Sequence, residues 1–401
     1  MKRLLALLLC FSLLLPVFAF GEEEEEDVDF NELIEEDVDL DEEGNILASD
    51  DDSDDYDFSD EDLEKLAENV VVGEDFDPAE LELNENLPDD VINILLLGLD
   101  VKGTKEKKLL RDQDQYAKRA DVQMILSINK TDGSIKLTSI ARNTLVDVPD
   151  RVNETSIANS YGHAIYKNGK YSSWVDTPEM CMRTVNRNFE MNIQHYVATN
   201  FYGVASIIEA LGGVDIDLTK QEATAINAYL KKNKRSISNT YDDKKGNRDP
   251  LEKKDGVQHL DGIQALMYAR LRSIDDDFHR TGRTRKLLSS LLTPTVKKIK
   301  NKELDLMNLL GDSIQYFIVD PGLNMQLMVE IASSVLRSDI VQNMYLADSL
   351  VEEFRIPVDG TWYYDTTSGG ASVNKFKKGQ KQENTEMLHE FIYGAYYPSD
   401  D

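Results

Sequence analysis

The sequence predicts an α/β fold, with a single α-β-α domain built around a mixed central β-sheet. Three observations lead to this prediction. Residues 91–100 (VINILLLGLD) form a continuous apolar run, residues 120–142 contain a hairpin signal, and helical and strand-like segments alternate from there to the C-terminus. Mixed elements without an internal repeat favour one domain, from residue 91 to residue 401, over two.

The spacing of apolar residues predicts the first strands and helices of the domain. The apolar run 91–100 predicts a strand that is buried on both faces. Segments 120–128 and 134–142 flank the turn sequence NKTDG, which is typical of a β-hairpin. Apolar residues at helical spacing predict helices at 177–189 and 201–211, and two glycines then lead into a strand that ends at residue 218.

The second half of the domain is more varied. The polar, basic stretch 229–256 predicts a loop or flap, and LDGIQALMYARLR predicts a short helix that runs into a strand. Residues 283–299 have helical spacing, although Pro294 is expected to kink or interrupt that helix. Cys181 lies among apolar residues of the helix predicted at 177–189, so a core thiol is expected there.

The N-terminus has an export signal. Residues 1–21 combine two basic residues with an apolar run, which fits either a cleaved signal peptide or a signal anchor. In both cases the remaining chain is exported to the outer face of the cytoplasmic membrane or the cell wall. An exported domain without net positive charge also makes nucleic acid an improbable partner.

The strong negative charge is local. The net charge is −31, and residues 22–90 hold 34 acidic residues against a single lysine. Repulsion among them and the scarcity of apolar surface predict a disordered acidic linker over 22–90. The rest of the chain is close to neutral, so a dense basic cluster inside it indicates a localised electrostatic site.

That cluster is YARLRSIDDDFHRTGRTRK, residues 268–286. Arg270 and Arg272 are two apart in a strand-like stretch, so they are expected to share a face. Arg280 and Arg283 are three apart where a helix is expected to begin. Guanidinium groups and a helix N-terminus suit phosphate or pyrophosphate. The alternative from spacing alone is a surface lattice of these arginines with Asp275, Asp276 and Asp277.

Two aspartates stand at predicted strand ends. Asp100 closes the first strand and Asp121 opens the next. Ligands of α/β proteins bind at such ends, and two carboxylates facing arginines suit a divalent cation that bridges phosphate oxygens. Strand-terminal turn formers are the simpler alternative.

Several segments carry a family resemblance. NILLLGLD, RADVQMILSIN, IKLTSIARNTLVDVP, SIANSYGHA, NFYGVASIIEALGGVDIDL, HLDGIQALMYARLR and DFHRTGRTRKLL occur in this order. Together they resemble the LytR-CpsA-Psr family from about Val91 to the C-terminus, where EFRIPVDGTWYY is similar to its closing strand.

The resemblance implies a specific function. Such proteins transfer anionic glycopolymers, such as teichoic acids or capsular polysaccharide, from an undecaprenyl-pyrophosphate carrier to peptidoglycan at the membrane surface. A muramic acid hydroxyl attacks the pyrophosphate and a phosphodiester forms. The family fold holds the polyprenyl tail in a hydrophobic groove, with the pyrophosphate and Mg²⁺ or Mn²⁺ at its mouth.

The resemblance also assigns site residues. The metal aspartates fall on Asp100 and Asp121, and Asp277 is expected either to orient an arginine or to act as base. The pyrophosphate-binding arginines fall on Arg119, Arg142, Arg270, Arg272, Arg280 and Arg283, of which Arg142, Arg270 and Arg272 join Asp277 as the expected catalytic residues.

The chain departs from the family pattern near these residues. Asn143 replaces an aspartate after Arg142, Ala141 replaces a proline, and Lys102 replaces an arginine. Two alternatives to the phosphotransferase therefore stay open. One is a non-catalytic protein that binds polyprenyl phosphate or wall polymer, and the other is a lipid pyrophosphatase that needs no acceptor.

Overall fold

The structure is a computed structural model of the chain. It describes residues 71–73, 76–99, 119–164, 166–167, 170–171, 177–241, 248–271, 283, 286–287, 290–291, 294–295, 317–323, 327, 331, 334, 351–367 and 370–400. The predicted signal segment 1–21 and most of the acidic segment lie outside these residues. Within the described part, no helix is both long and apolar enough to span a membrane.

Most strands of the described residues are short. They are β1 (Val71–Val72), β2 (Val91–Leu99), β3 (Ala120–Asn129), β4 (Ile135–Ile140), β5 (Leu145–Val146), β6 (Thr155–Ser156), β7 (Tyr166–Lys167), β8 (Lys170–Tyr171), β9 (His195–Asn200), β10 (Val214–Leu218), β11 (Gly256–Leu260), β12 (Phe317–Val319), β13 (Glu352–Ile356), β14 (Trp362–Thr366) and β15 (Ser372–Phe376).

A 3-10 helix over Pro78–Leu81 precedes β2. The α-helices with continuous described backbone are α1 (Asn159–Ala164), α2 (Thr177–Phe189), α3 (Phe201–Ala210), α4 (Lys220–Tyr241), α5 (Gly262–Arg270) and α6 (Gln380–Tyr393). The predicted strand at 91–100, the hairpin and the helices at 177–189 and 201–211 are confirmed within a residue or two, apart from Asp100, which is not described.

Among the described residues, the main sheet has seven strands in the order β1-β12-β9-β2-β3-β4-β13. Pairing is antiparallel in β2–β3 and β3–β4 and parallel in β2–β9 and β4–β13, which makes the sheet mixed, as predicted. The central strand β2 is long and apolar because it is covered on both sides.

Alternation along β2 separates two layers of core. Leu95, Leu97 and Leu99 belong to a cluster that includes residues of α1, α2 and α6. Ile94 and Leu96 point to the opposite face and are also fully buried. Burial on both faces of one strand is the feature that a three-layer α-β-α arrangement requires.

The folded part begins before Val91, at residues that the sequence assigned to the acidic linker. Val71 and Val72 pair in parallel with Ile318 and Val319 at the edge of the sheet. Leu81 is fully buried in the core. A few apolar residues among the acidic ones are therefore enough to tie residues 71–90 to the domain.

The loop predicted over 229–256 is wrong in its first half, because α4 continues through Tyr241. The helix begins with a reciprocal cap, in which Glu222 N donates to Thr219 Oγ1 and Thr219 N donates to a Glu222 carboxylate oxygen. Lysine, leucine, alanine and arginine are good helix formers, so a polar composition did not prevent helix formation here.

Helix α6 is locked to the core by a buried histidine. His389 Nε2 lies 3.0 Å from the Phe189 carbonyl oxygen, while Nδ1 accepts from Tyr397 N–H at 3.3 Å. This pattern requires the neutral imidazole, with its proton on Nε2. Burial lowers the pKa of His389, and the hydrogen bond to Phe189 opposes that shift in part.

We predict that His389 makes stability fall in mild acid. Because its folded-state pKa lies below the unfolded value of about 6.5, the unfolded chain binds a proton that the folded chain does not bind as pH falls through that window. Urea titrations between pH 7.5 and 5 should show a steeper loss of unfolding free energy for the wild type than for His389→Gln. Equal slopes in the two proteins would contradict the assignment.

Candidate active site

Several strands of the main sheet end along one edge of the sheet. Because β2, β9, β4 and β13 run in the same direction and β3 runs against them, the C-terminal ends of the first four lie beside the start of β3. In register, Leu99 faces Ala120 on one side and Asn200 on the other. A β-bulge between Gly98 and Leu99 marks the place where regular pairing ends.

A charged pair stands at this edge. Arg142 follows β4 by two residues, and one of its terminal nitrogens lies 2.9 Å from Asp121 Oδ2. The side chains are only 18% and 10% exposed, so the pair is largely shielded from solvent. Asp121 in β3 and Arg142 just after the neighbouring antiparallel strand β4 thus bring a carboxylate and a guanidinium together, and their assignment to a metal and to pyrophosphate stays a prediction.

Asn143 also contacts Arg142, but its contact is long. Arg142 Nε donates to Asn143 Oδ1 at 3.4 Å. A neutral amide at this distance orients the guanidinium more weakly than a carboxylate does. Asp121 is therefore the stronger orienting group for Arg142 among the contacts that the structure shows.

The backbone around Arg142 is held by the segment before α1. Ala158 N donates to the Arg142 carbonyl at 3.2 Å, and Ile157 N donates to the Thr144 carbonyl at 2.8 Å. Ala120 N in turn donates to the Ala158 carbonyl at 3.1 Å. Residues 157–158 thus join the start of β3 to the Arg142 loop and fix the distance between Asp121 and Arg142.

A buried polar cluster supports this segment. Gln123 Nε2 donates to the Ile157 carbonyl and to Ser160 Oγ, at 2.9 and 3.1 Å. Ser160 Oγ donates to the Ile157 carbonyl and lies 3.3 Å from Cys181 Sγ. Burial raises the pKa of the Cys181 thiol to about 12, so it is protonated at neutral pH, and the predicted core role is confirmed.

Sequence reasoning did not single out Asn200, Gln123 or Ser160. Asn200 ends β9 at the same edge and caps α3, where its side chain accepts from Gly203 N–H at 2.9 Å. A polar residue between a predicted strand and a predicted helix was the available signal. Gln123 and Ser160 had no such signal, because their partnership spans 37 positions of sequence.

Arg270 lies in a helix, which corrects the strand-like assignment. It is the last residue of α5, and Asp261 and Gln264 form a capping box at the other end of that helix. The extended backbone begins only at Leu271, with φ −56° and ψ 127°. The expectation that Arg270 and Arg272 share a strand face therefore does not hold.

Arg283 is more buried than the sequence suggested. It is 5% exposed, and it donates to the Leu271 carbonyl at 2.7 Å. A second terminal nitrogen lies 3.7 Å from a carboxylate oxygen of Glu222, on α4. These contacts fix the chain directly after Arg270, and the assignment of Arg283 to pyrophosphate stays a prediction.

The remaining predicted residues are only partly described. Arg119 stands immediately before β3 and is exposed. Asp100, Arg272, Asp277 and Arg280 lie outside the described residues, so the structure does not test their assigned roles.

The described carboxylates are too scattered to form a metal site made of protein ligands alone. Across the described residues, no three His, Cys, Asp or Glu side chains are grouped closely enough to hold a metal. Mg²⁺ commonly takes one or two carboxylates and completes its octahedron with water and substrate phosphate oxygens. The carboxylate of Asp121 is able to supply one such oxygen ligand, whereas Asp100, the second aspartate predicted for the metal, lies outside the described residues.

Similarity to known proteins identifies the family to which this chain belongs. The model of the LytR_cpsA_psr family matches residues 59–382, which is most of the chain. The chain belongs to the LytR_cpsA_psr family. The match also begins ahead of Val91, in agreement with the contribution of residues 71–90 to the fold.

Two curated relatives of this chain are named as transferases. The polyisoprenyl-teichoic acid–peptidoglycan teichoic acid transferase TagU of Oceanobacillus iheyensis is 24% identical over 73% of this chain and 77% of its own length. TagU of Halalkalibacterium halodurans is 26% identical over 51% of this chain, and the alignment spans about half, 53%, of that relative.

Solved structures of the family are also similar. Bacillus subtilis TagT is 19% identical, with 80% of this chain and 94% of that chain covered and a TM-score of 0.48. A structure of the LytR-CPS2A-psr family protein YwtF (TagT) with bound octaprenyl pyrophosphate lipid is 19% identical, with 80% and 93% coverage and a TM-score of 0.46.

We predict that Arg283 and Glu222 act as a structural pair. Arg283→Met leaves the largely shielded Glu222 carboxylate without this cation and the Leu271 carbonyl without its donor, so the free energy of unfolding should fall by about 3 kcal/mol. The double variant Arg283→Met/Glu222→Gln should be less destabilised than the sum of the two single variants, as measured by urea unfolding in a double-mutant cycle. Strict additivity would show that the two side chains do not interact.

Proposed function

We propose that this protein is a phosphotransferase that moves an anionic glycopolymer from an undecaprenyl-pyrophosphate carrier to peptidoglycan. The observation that carries the proposal is the shielded Asp121–Arg142 pair, 2.9 Å apart at the sheet edge, in a member of the LytR_cpsA_psr family. The transferase names of curated relatives support the reaction class.

The reaction is a displacement at phosphorus. The oxygen of a peptidoglycan hydroxyl forms a bond to the phosphorus that carries the glycopolymer, and the bond from that phosphorus to the bridging oxygen breaks. Undecaprenyl phosphate leaves with the bonding electrons, and the hydroxyl proton passes to a base. Such chemistry depends on positioning and on neutralising charge more than on covalent steps by the protein.

Arg142 suits the role of pyrophosphate ligand. Its planar fork of N–H donors matches two phosphate oxygens, and its low exposure strengthens each contact relative to water. Asp121 holds the guanidinium in place before substrate arrives. Arg119, Arg270, Arg272, Arg280 and Arg283 are the further arginines proposed from the family pattern, and Asp277 is the residue proposed to orient Arg280 or act as base.

Asp121 and Asp100 are the proposed ligands of Mg²⁺ or Mn²⁺. When bound, the cation would neutralise charge on the pyrophosphate oxygens. Asp121 would then divide its two oxygens between the cation and Arg142, which a carboxylate with several lone pairs permits.

The lipid-linked substrate determines where the proposed reaction takes place. A polyprenyl carrier keeps the reaction at the membrane surface, with its tail in a hydrophobic groove of the domain, and the predicted export signal would deliver the domain to the outer face. The alternatives, a binding protein and a lipid pyrophosphatase, would use the same arginines but would not join polymer to peptidoglycan.

We predict that Arg142→Lys lowers the rate of ligation of a lipid-linked glycopolymer to peptidoglycan by about 10²-fold, because a lysine cannot make the bidentate contact. Purified enzyme, lipid-linked polymer and peptidoglycan are the required components, and circular dichroism checks the fold. Arg151→Lys is the matched control, since Arg151 is exposed, and it should keep the wild-type rate.

The same assay separates the three functions. Lipid binding by the wild type without ligation would support a binding protein and overturn the proposal. Release of undecaprenyl phosphate at an unchanged rate without peptidoglycan would support a pyrophosphatase.

We predict that removal of divalent cations with EDTA lowers ligation by roughly 10²-fold and that Mg²⁺ or Mn²⁺ restores it. Asp121→Asn should weaken Mn²⁺ binding in the presence of pyrophosphate, as measured by calorimetry, whereas Asp132→Asn, in an exposed turn, should not. Full activity in EDTA, or equal Mn²⁺ affinity in both variants, would refute the metal assignment.

A further inference from the structure

A second surface lies next to the Arg142 loop. After β13 the chain forms the hairpin β14–β15, in which Trp362 pairs with Phe376 and Tyr364 pairs with Asn374. Asn374 N donates to the Asn143 carbonyl at 2.8 Å, and Asn374 also forms a β-bridge with Thr144. The hairpin is therefore joined by backbone contacts to the residue that follows Arg142.

Packing and a backbone hydrogen bond fix the base of the hairpin. Val373 is buried, and Phe376 packs edge-on against Phe189, with ring centroids 6.5 Å apart. Lys377 N donates to the Thr361 carbonyl at 2.9 Å and closes the base of the two strands. The outer strand β14 is thus held in place even though, within the described residues, it pairs only with β15.

Aromatic rings line one face of β14, whereas on the same face of β15 Asn374 is buried and Phe376 packs toward the core. Trp362 and Tyr364 are two apart on one strand, so they share a face, and their rings meet edge-on at 4.8 Å. Tyr364 is 62% exposed. Thr366 and its cross-strand partner Ser372 continue the same face with two exposed hydroxyl groups. Large aromatic side chains left on an edge strand indicate a binding surface.

We propose that this face, Trp362, Tyr364, Thr366 and Ser372, binds the sugar chain of the acceptor peptidoglycan. A sugar ring has an apolar C–H face that stacks on an aromatic ring and hydroxyl and amide groups that need polar partners. Tyrosine and tryptophan supply an apolar body and a polar tip, and the neighbouring hydroxyls supply further partners. This inference rests on the proposed function, because it names the acceptor subsite of that reaction.

Position supports this occupant. Tyr364 pairs with Asn374, which in turn forms an isolated β-bridge with Thr144, and paired strands are about 4.8 Å apart, so the Tyr364 backbone lies roughly 10 Å from that of Thr144. Thr144 is two residues from Arg142. A glycan lying across the hairpin would therefore place a neighbouring sugar within reach of a phosphate held by Arg142.

Charge argues for a sugar over a lipid surface. The ionised residues of the two strands, Asp365 and Lys375, lie on the opposite face of the hairpin, where they pair with each other at 3.3 Å. A surface that contacts anionic lipid headgroups is expected to carry unpaired basic residues beside its aromatic rings. The proposed face thus carries no ionised residue of β14 or β15, and its hydroxyl groups match a hydroxyl-rich glycan chain.

The test uses full-length protein and peptide-free oligosaccharides of alternating N-acetylglucosamine and N-acetylmuramic acid. The chain has two tryptophans, Trp174 and Trp362, so Trp174→Phe leaves Trp362 fluorescence as the reporter of binding. In this background Tyr364→Ala should raise the Kd for the oligosaccharide about tenfold, which corresponds to the loss of one aromatic stacking contact. The matched control is Tyr363→Ala, because Tyr363 is 43% exposed on the opposite face, and its Kd should be unchanged.

Binding of the donor lipid and of lipid vesicles provides two further tests of the same surface. Tyr364→Ala should raise the KM for peptidoglycan in the ligation assay and leave the affinity for undecaprenyl pyrophosphate unchanged. Equal oligosaccharide affinity of the two tyrosine variants would overturn the proposal, as would Trp362 fluorescence that responds to phosphatidylglycerol vesicles and not to the oligosaccharide. Binding is measured without turnover, so a failure of ligation itself would refute the proposed reaction separately.

Discussion

Burial of β2 on both faces is the constraint on which the arrangement depends. A strand in the middle of the core cannot leave backbone N–H or C=O groups unpaired, so it needs a partner along each side. Here β3 pairs antiparallel and β9 pairs parallel. This combination brings the end of β2, the start of β3 and the end of β9 to one edge. Asp121, at the start of β3, and Arg142, just after β4, are neighbours at that edge without being close in sequence.

The Asp121–Arg142 pair illustrates what that edge permits. A shielded ion pair costs desolvation free energy and contributes little net stability, so its presence is better explained by function than by folding. Arg142 occupies a loop whose backbone is tied to residues 157–158, while Asp121 belongs to the regular strand β3. The loop supplies the guanidinium, and the sheet supplies its fixed partner.

Much of this fold could be predicted from the sequence, because its clearest sequence signals depend on residues that are close together in the chain. The apolar run of β2 and the hairpin turn depend on neighbouring residues alone. The helix α4 and the helical Arg270 were misjudged because propensity and capping outweighed polar composition. The Asp121–Arg142 pair was foreseen only as a proximity of strand ends. Contacts such as Arg283 with Leu271 depend on tertiary packing, for which spacing carries no signal.

The closing segment of the chain adds a geometric argument about transfer. Strand β13 runs parallel to β4, and Ala141 N donates to the Ile356 carbonyl at 2.8 Å just before Arg142. The chain then turns through β14 and returns along β15 to contact Asn143. Two sets of backbone hydrogen bonds thus flank Arg142 and fix the aromatic hairpin relative to it. A reaction between two polymers gains most from such a fixed spacing, because the entropy of bringing donor and acceptor together is met by binding rather than at the chemical step.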